Sequence, residues 1–319
     1  MSRIFDALRR SERDRPEAGP VALPEGPELL KHAESHVASA RNGASLVEEP
    51  KLPPENGRRT VREVGLALVG PPVAGQSAEE SAPFFGQFQS LPMALSAQSR
   101  LVCVTDREGP TAEALRLLAV RLRDFRRTKP LKKVLITSTI PQEGKSTIAA
   151  NLACALSRST DERTLLIEGD LRRPSLSRIF GIHPPAGLCE CLRGEAAPHQ
   201  GICRLDDAGL WYLPAGRAPG NPLELLQSQK LTALMDRLAA YFDWIVIDSP
   251  PVLPLADASI WMTLADGILL VARLGTTEKH QLKKGLEALQ PSKVLGAVMN
   301  SSAGSAYSGY YYRSPNPSA

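Results

Sequence analysis

The sequence lacks the features of a membrane-spanning or secreted chain. No apolar run approaches the roughly 20 residues that a spanning helix needs. The best candidates, near Ile245 and Ile268, are interrupted by Asp248 and Asp266. The N-terminal stretch MSRIFDALRRSERDR has neither the apolar segment nor the small-residue cleavage site of a secretory signal. We therefore expect a cytoplasmic protein without a transmembrane segment of its own.

The net charge is also too small, and the cysteines are too few, to indicate a class of protein. The formal net charge of +4 is too small to indicate a nucleic-acid partner. The five cysteines are odd in number and lack framework spacing, so we expect reduced thiols. Five metal-ligand side chains cluster without matching a zinc spacing, so a variable loop and a metal site both stay open there. These residues are His183, Cys189, Cys191, His199 and Cys203.

The first hundred residues differ in composition from the rest. Residues 1–15 predict a short amphipathic helix with Ile4, Phe5 and Leu8 on one face. This helix is either solvated or an element that docks on a membrane partner or a lipid surface. Residues 16–99 are rich in Pro, Gly, Ala, Ser and Glu without a sustained period, which is typical of a disordered linker.

A folded α/β domain is predicted from residue 100 to residue 303. The segment LVCVTD, from Leu101, has strand character, and a helix with a basic face is predicted to begin at Thr111 or Pro110. That face is either solvated or an interface for a subunit or an acidic partner. Apolar strands then alternate with helical stretches, which favours a mostly parallel sheet covered by helices on both faces. The predicted strands are 134–137, 164–167, 210–213, 244–247, 268–272 and 294–299.

The most informative stretch is VLITSTIPQEGKSTIAAN, residues 134–151. It predicts a strand, a loop and a helix in succession, which is the context of a phosphate-binding loop. Lys145 is expected to reach the β and γ phosphates of ATP, and the Ser146 hydroxyl to bind Mg²⁺. An ordinary helix start is the alternative, because Thr139 replaces the first glycine of GxxxxGK[ST]. The residues predicted to contact the nucleotide here are Thr139, Gln142, Glu143, Gly144, Lys145, Ser146 and Thr147.

Three acidic residues follow two of the predicted strands. Glu168 and Asp170 come after strand 164–167, and Asp248 ends the run WIVID. Because the carboxyl ends of parallel strands meet at one edge of a sheet, we expect these side chains to converge on one magnesium ion and one triphosphate. Asp248 is placed like a Walker B acid, which holds Mg²⁺ directly or through water. The pattern predicts the P-loop NTPase fold.

The sequence resembles the bacterial tyrosine kinases of capsule and exopolysaccharide biosynthesis. The segments that carry this resemblance are PQEGKST, LLIEGDLRRP, LPAGRAPGNPLELL, WIVIDSPPVLPLADA and the C-terminal tyrosines. They cover about residues 100–312, and LLIEGDLRRP is not a general P-loop feature. The resemblance implies that Lys145, Ser146 and Thr147 bind the phosphates and magnesium of ATP. It also implies a magnesium site formed by Ser146, Asp170 and Asp248.

The resemblance assigns roles to further residues. The family usually has Asp at the position of Glu168, which would help to deprotonate the incoming tyrosine. Asn300 matches a position that contacts the nucleotide base in related folds, with a simple loop asparagine as the alternative. Glu113 and Arg116 match an oligomerisation motif in which Ala119 replaces the last arginine. The resemblance therefore implies a homo-oligomer, although the motif that would form its interface is incomplete.

The stretch 304–319, GSAYSGYYYRSPNPSA, predicts a flexible tail because Gly, Ser and Pro dominate between its tyrosines. By resemblance, the tyrosines are an autophosphorylation cluster presented to a neighbouring subunit. A disordered tail without this role is the alternative. The cluster holds four of the six tyrosines of the chain, Tyr307, Tyr310, Tyr311 and Tyr312.

The function expected from these residues is that of an ATP-dependent protein-tyrosine autokinase. The resemblance implies a membrane partner of the polysaccharide chain-length-regulator type, which would dock this chain at the membrane. A nucleotide-gated scaffold or ATPase of the same fold, with little kinase activity, is the alternative. A partition or septum-site ATPase is disfavoured, because those proteins carry an extra lysine where this chain has Ile140.

Overall fold

The computed structural model describes residues 85–300, apart from residues 97, 160, 219 and 254. All of them lie in the unit Gly70–Ala319. The predicted N-terminal helix at 1–15, most of the predicted linker and the tail at 304–319 lie outside the described residues. Those three interpretations therefore stay predictions.

An eight-stranded sheet organises the described residues in the order β1-β4-β5-β3-β6-β2-β7-β8. Neighbouring strands pair in parallel, except for the antiparallel pair β4 and β5. The predicted mostly parallel α/β fold is confirmed. The strands are β1 (Gln89–Ser90), β2 (Lys133–Ser138), β3 (Thr164–Glu168), β4 (Cys203–Leu205), β5 (Leu210–Leu213), β6 (Trp244–Asp248), β7 (Gly267–Arg273) and β8 (Val294–Asn300).

Helices cover both faces of this sheet. Val134 and Ile136 of β2 pack into one hydrophobic core, whereas Leu135 between them belongs to a second core on the other face. This alternation follows from the two-residue period of a strand. The helices are α1 (Val102–Thr105), α2 (Pro110–Thr128), α3 (Lys145–Leu156), α4 (Leu176–Phe180), α5 (Leu188–Arg193), α6 (Pro198–Gly201), α7 (Pro222–Leu226), α8 (Gln229–Tyr241), α9 (Asp257–Leu264) and α10 (Lys279–Glu287).

One predicted strand is wrong: within LVCVTD, Val102–Thr105 form helix α1. The backbone N–H of Cys103 donates to Oδ1 of Asn151 at 3.0 Å, and the Thr105 hydroxyl donates to the Leu101 carbonyl at 3.2 Å. Leu101 and Cys103 are buried in the same core as α2 and α3. Packing against these two helices therefore overrides the β propensity of the valines.

The folded domain also begins earlier than the predicted boundary at residue 100. Phe85 packs edge to face against Trp211 and Phe242, with ring centroids 5.1 and 5.7 Å apart. Strand β1 then pairs with β4. Residues 85–96 thus belong to the domain, although their Pro- and Ser-rich surroundings resemble a linker in composition.

Two sequence-based expectations concern membrane spans and cysteines. Among the described helices, none combines the length and the apolar character that crossing a bilayer requires. All five cysteines are free thiols. Within residues 85–300, apart from the four positions named above, no group of three or more His, Cys, Asp or Glu side chains is arranged to hold a metal ion, the cluster from His183 to Cys203 included.

Candidate functional site

The loop between β2 and α3 has the backbone of an anion-binding site. Gln142 and Gly144 adopt the left-handed conformation, with φ of 68° and 90°. Left-handed residues next to right-handed ones turn successive backbone N–H groups toward one side, which makes a concave nest for anions. A side chain at position 144 would be strained at this φ and would collide with the amide of Asn300. The structure therefore explains why this loop needs Gly144.

Two residues that were predicted to contact the nucleotide form hydrogen bonds that stabilise the loop. The buried Glu143 carboxylate accepts hydrogen bonds from the backbone of Ile140, at 2.9 Å, and from the hydroxyl of Thr277. Asn300, at the end of β8, donates its side-chain amide to the carbonyl of Glu143 at 2.9 Å. Both residues thus fix the shape of the loop, and a contact between Asn300 and a nucleotide base stays a prediction.

Helix α3 begins at Lys145, directly after the loop. The backbone N–H groups of its first turn have no acceptor within the helix. The same end carries the positive part of the helix dipole, which favours a bound phosphate. Ser146 and Thr147 lie in this turn, where both were predicted to bind phosphate or magnesium. The local structure is that of a phosphate-binding loop.

Three predicted charged residues converge next to this loop. The strand register places Asp248 opposite Ile136 on one side and opposite Glu168 on the other. The ammonium group of Lys145 lies 2.9 Å from Oδ2 of Asp170 and 3.7 Å from Oδ1 of Asp248. Burial disfavours the charge on Lys145, but the carboxylates of Asp248 and Asp170 outweigh this effect and raise its pKa. The site therefore presents a buried, charged lysine.

Asp248 is the least satisfied of these groups. It is 1% exposed, and neither of its oxygens accepts a hydrogen bond from the described residues. Burial raises its pKa to about 7, against the opposing effects of the Lys145 charge and of the nearby Ser146 hydroxyl. Unpaired buried carboxylate oxygens are costly for a fold, so their presence points to a ligand that the site is built to receive.

The donor set fits a magnesium ion. The Ser146 hydroxyl lies 3.3 Å from the Lys145 ammonium, beside the carboxylates of Asp170 and Asp248. Mg²⁺ prefers such oxygen donors, and it is usually held by one or two carboxylates together with the phosphates of a nucleotide and water. A site with few protein ligands is therefore what a magnesium–nucleotide complex requires.

Glu168 has a different environment, although it is as buried as Asp248. Its Oε1 accepts the backbone N–H groups of Ser175 and Leu176, at 2.5 and 2.6 Å. Its Oε2 accepts the Tyr212 hydroxyl at 2.8 Å and the Ala215 N–H at 3.2 Å. Four donors thus hold this carboxylate. Its predicted role in deprotonating a tyrosine stays a prediction.

Sequence reasoning missed the residues of α9 that support Asp170. The Trp261 indole donates to the carbonyl of Gly169 at 3.1 Å, and the Gly169 N–H donates to the Asp248 carbonyl at 2.7 Å. Asp257, which is 1% exposed, accepts two hydrogen bonds from the Arg172 guanidinium at 2.7 and 3.0 Å. An aspartate near the apolar stretch SIWMTL was a signal, because a buried aspartate requires a cationic or hydrogen-bonding partner.

Comparisons with known proteins give a consistent result. No profile of a known protein family matches the chain. The chain is 36% identical over 217 residues to the tyrosine-protein kinase YwqD of Bacillus subtilis, covering 67% of this chain and 91% of YwqD. It is 34% identical to the putative tyrosine-protein kinase CapB of Staphylococcus aureus, covering 57% of this chain and 80% of CapB.

The fold is also found in a solved structure. The crystal structure of the chimerical protein CapA2B2 superimposes with a TM-score of 0.60 at 29% sequence identity. The superposition covers 70% of this chain and 98% of that chain. The matched share of this chain is close to that of the described residues.

Proposed function

Because the chain belongs to the bacterial tyrosine-protein kinases, we propose that it transfers the γ-phosphoryl group of ATP to tyrosine hydroxyl groups, its own among them. The observation that carries this proposal is the position of the Lys145 ammonium between Asp170 and Asp248, beside a phosphate-binding loop. Asp248 keeps both carboxylate oxygens free of hydrogen bonds from the described residues. This arrangement supports a triphosphate site rather than an ordinary helix start.

In this proposal, the chain acts mainly by positioning and charge. The backbone N–H groups of the loop and of the first turn of α3 hold the phosphates. Lys145 neutralises charge on the transferring group, and it lies in a buried site where such an interaction is stronger than in water. When bound, Mg²⁺ supplies further neutralisation of the phosphates, and Ser146, Asp170 and Asp248 are the residues that would hold it.

We propose that Asp170 faces the tyrosine hydroxyl that attacks the phosphate. One of its oxygens accepts a hydrogen bond from Lys145 and the other from the backbone of Arg173 at 3.1 Å. Glu168 was predicted to share this task, but four hydrogen bonds already hold its carboxylate. We therefore propose that Glu168 is a positioning residue. It fixes the end of β3, two residues before Asp170.

The proposed acceptors are Tyr307, Tyr310, Tyr311 and Tyr312, which lie outside the described residues. They follow β8, whose last residue, Asn300, contacts the phosphate loop. We propose that these tyrosines reach the site of a neighbouring copy of the chain. A phosphate on each would add nearly two negative charges, which would change how this segment interacts with charged surfaces.

The proposed partner is a membrane protein of the chain-length-regulator type in capsule or exopolysaccharide synthesis, which would hold this cytoplasmic chain at the membrane. Helix α2 is the candidate contact, because Leu117 and Val120 are 52% and 50% exposed on it. In the oligomerisation motif on this helix, Arg116 pairs with Glu113, but Ala119 is buried with 1% exposure. A homo-oligomer would therefore need contacts other than a second arginine here.

Incubation with ATP and Mg²⁺, followed by phosphotyrosine mass spectrometry, tests the proposed activity. We expect phosphate on the C-terminal tyrosines of the wild-type chain and at least about a 10³-fold loss in Lys145→Met, which removes the charge that stabilises the transferring group. Lys230→Met is the matched control, because this exposed lysine on α8 donates to the carbonyl of Arg193 at 3.3 Å.

The alternative function is a nucleotide-gated scaffold with little kinase activity. The full engagement of Glu168 and the burial of Ala119 favour this alternative. ATP binding without phosphotyrosine in the wild-type chain would support the scaffold and contradict the kinase.

A further inference from the structure

A cavity of about 510 Å³ lies beside the second acidic motif. It is formed where the chain leaves β3 and β5, at the same edge of the sheet as the phosphate loop. Glu168 lies in its wall, with Pro174 and Arg178 on one side and Pro214 and Arg217 on the other. Its volume falls within the range of about 300–1,000 Å³ that is typical of ligand pockets. We call it the β3–β5 cleft.

The charged groups at the opening of the β3–β5 cleft are mostly cationic. Arg178 and Arg217 are exposed, and the His183 imidazole adds a further hydrogen-bonding group. Arg217 approaches Glu190 at 3.7 Å, but its side chain is 82% exposed, so its guanidinium has donors available to a ligand. Glu168 is the one acidic residue that lines the cleft within the described part of the chain, and it is buried.

The acidic side chains near the cleft already accept hydrogen bonds from the protein. Glu168 accepts four hydrogen bonds, as described above. Glu190, behind Arg217, accepts the backbone N–H groups of Gly187 and Arg217 at 2.8 and 3.0 Å. Both carboxylates are buried, whereas Arg178 at the opening is exposed and has no acceptor among the described residues. An anionic group is the ligand that this opening favours.

The chain itself can supply such an anion. Residues 301–319 contain no Asp or Glu and one Arg, so the unmodified segment offers no side-chain negative charge to the cleft. Phosphorylation of a tyrosine adds about −1.5 to −2 charges, together with oxygens that match the forked donors of arginine. The prolines and Ile182 give the cleft apolar surface for the aromatic ring that carries the phosphate.

We propose that the β3–β5 cleft binds a phosphotyrosine of segment 301–319 from a second copy of this chain. The cleft would hold one phosphorylated tyrosine while a neighbouring tyrosine reaches Lys145 and Asp170. Tyr307 and Tyr310 can lie about 10 Å apart in an extended chain, so a phosphotyrosine in the cleft would leave a second tyrosine of the same segment free to extend toward Lys145. Each phosphorylation then promotes the next. This inference rests on the proposed kinase function and names a second substrate subsite for it.

Binding of synthetic peptides to the full chain, without nucleotide, tests the cleft. The probes are fluorescent peptides with the sequence of residues 303–314, unmodified or phosphorylated at Tyr311, followed by anisotropy. We expect the phosphorylated peptide to bind at least ten-fold more tightly than the unmodified one. We also expect Arg178→Gln with Arg217→Gln to abolish this difference. Arg121→Gln, an exposed arginine on α2, is the matched control and should bind like the wild type.

Equal binding of the two peptides would overturn the inference, and so would an unchanged difference in the double variant. A phosphoserine peptide and inorganic phosphate serve as competitors. The unlabelled phosphotyrosine peptide is the reference competitor. If the phosphoserine peptide or inorganic phosphate displaces the labelled peptide at equally low concentration, the cleft recognises phosphate alone, and the assignment to phosphotyrosine is wrong. Thermal unfolding of each variant verifies that the exposed substitutions leave the fold intact.

The failure of this inference can be told apart from the failure of the kinase function. Peptide binding needs no phosphoryl transfer, so a chain without kinase activity would still discriminate between the peptides. Conversely, if the kinase acts and the cleft does not bind phosphotyrosine, intact-mass spectra of the double variant would match those of the wild type. If the cleft acts as proposed, singly phosphorylated chains accumulate and the chains with three or four phosphates decrease at least five-fold.

Discussion

Asp248 and Glu168 lie opposite each other on neighbouring strands, and each is 1% exposed. Glu168 accepts four hydrogen bonds, three of them from backbone N–H groups that follow β3 and β5. Asp248 accepts none from the described residues and has Lys145 as an ion-pair partner at 3.7 Å. Two carboxylates of equal burial therefore serve different purposes: one stabilises the fold, and the other is held ready for a ligand.

The difference has a direct energetic meaning. A buried carboxylate with its hydrogen bonds made contributes to stability, whereas one without them costs desolvation free energy until a cation or donor arrives. The raised pKa of Asp248, about 7, reflects this cost. A substitution at Glu168 should therefore lower the free energy of unfolding far more than one at Asp248, and the predictions below test this comparison.

The largest effect on stability is expected for Glu168→Ala. The substitution leaves the Tyr212 hydroxyl and the N–H groups of Ser175, Leu176 and Ala215 without their acceptor. Each buried unpaired donor costs about 1–3 kcal/mol. We therefore expect the free energy of unfolding to fall by at least about 3 kcal/mol. Urea unfolding followed by circular dichroism measures it. A loss below about 0.5 kcal/mol would show that these hydrogen bonds do not support the fold.

A smaller loss is expected for Tyr212→Phe. The Tyr212 hydroxyl donates to Glu168 at 2.8 Å and lies 2.9 Å from the Ser177 hydroxyl. Burial, together with the charge of Glu168, raises the pKa of Tyr212 well above its usual value, so the phenol keeps the proton that it donates. Removing it should cost about 1–2 kcal/mol in the same urea assay.

The smallest effect, with the opposite sign at high pH, is expected for Asp248→Asn. The substitution removes a buried charge that lacks hydrogen bonds, while Lys145 keeps Asp170 at 2.9 Å. Without magnesium, we expect the variant to be within about 1 kcal/mol of the wild type or more stable. A stability loss comparable to that of Glu168→Ala would contradict the distinction between the two carboxylates.

The pH dependence of that comparison has a defined sign. Asp248 has a pKa of about 7 in the folded chain, above the ordinary value of 3.8. Between these values, folding takes up a proton at this site, so the wild type loses stability as the pH rises through this range. The advantage of Asp248→Asn should therefore be largest near pH 8 and smallest near pH 4. Thermal unfolding of both chains in EDTA, across this range, measures the trend.

The two regions also differ in what the sequence could predict. The phosphate loop and Asp248 were predictable because an apolar strand, a GKST segment and an acidic strand end are local patterns. The partners of Glu168 come from positions 175, 176, 212 and 215, so its environment depends on contacts between distant segments. The sequence showed that both acids end a strand, but not which of them would keep its oxygens free.

The same distinction explains the errors in the predicted fold. Six of the seven predicted strands are found, because each of the six is a local run of apolar residues. Helix α1 was predicted as a strand, since its conformation depends on packing against α2 and α3. Phe85 was placed in a linker because its aromatic partners, Trp211 and Phe242, are far away in the sequence. Local patterns identified the elements, and long-range packing decided the rest.

Stabilisation by a magnesium complex of a non-hydrolysable ATP analogue tests most directly whether Asp248, and not Glu168, is held for the ligand. A ligand at about 100 times its Kd stabilises a protein by roughly 2.7 kcal/mol. We predict a stabilisation of this order in the wild type and in Glu168→Gln, and its loss in Asp248→Asn or on addition of EDTA. Full stabilisation of Asp248→Asn, together with none in Glu168→Gln, would contradict the account.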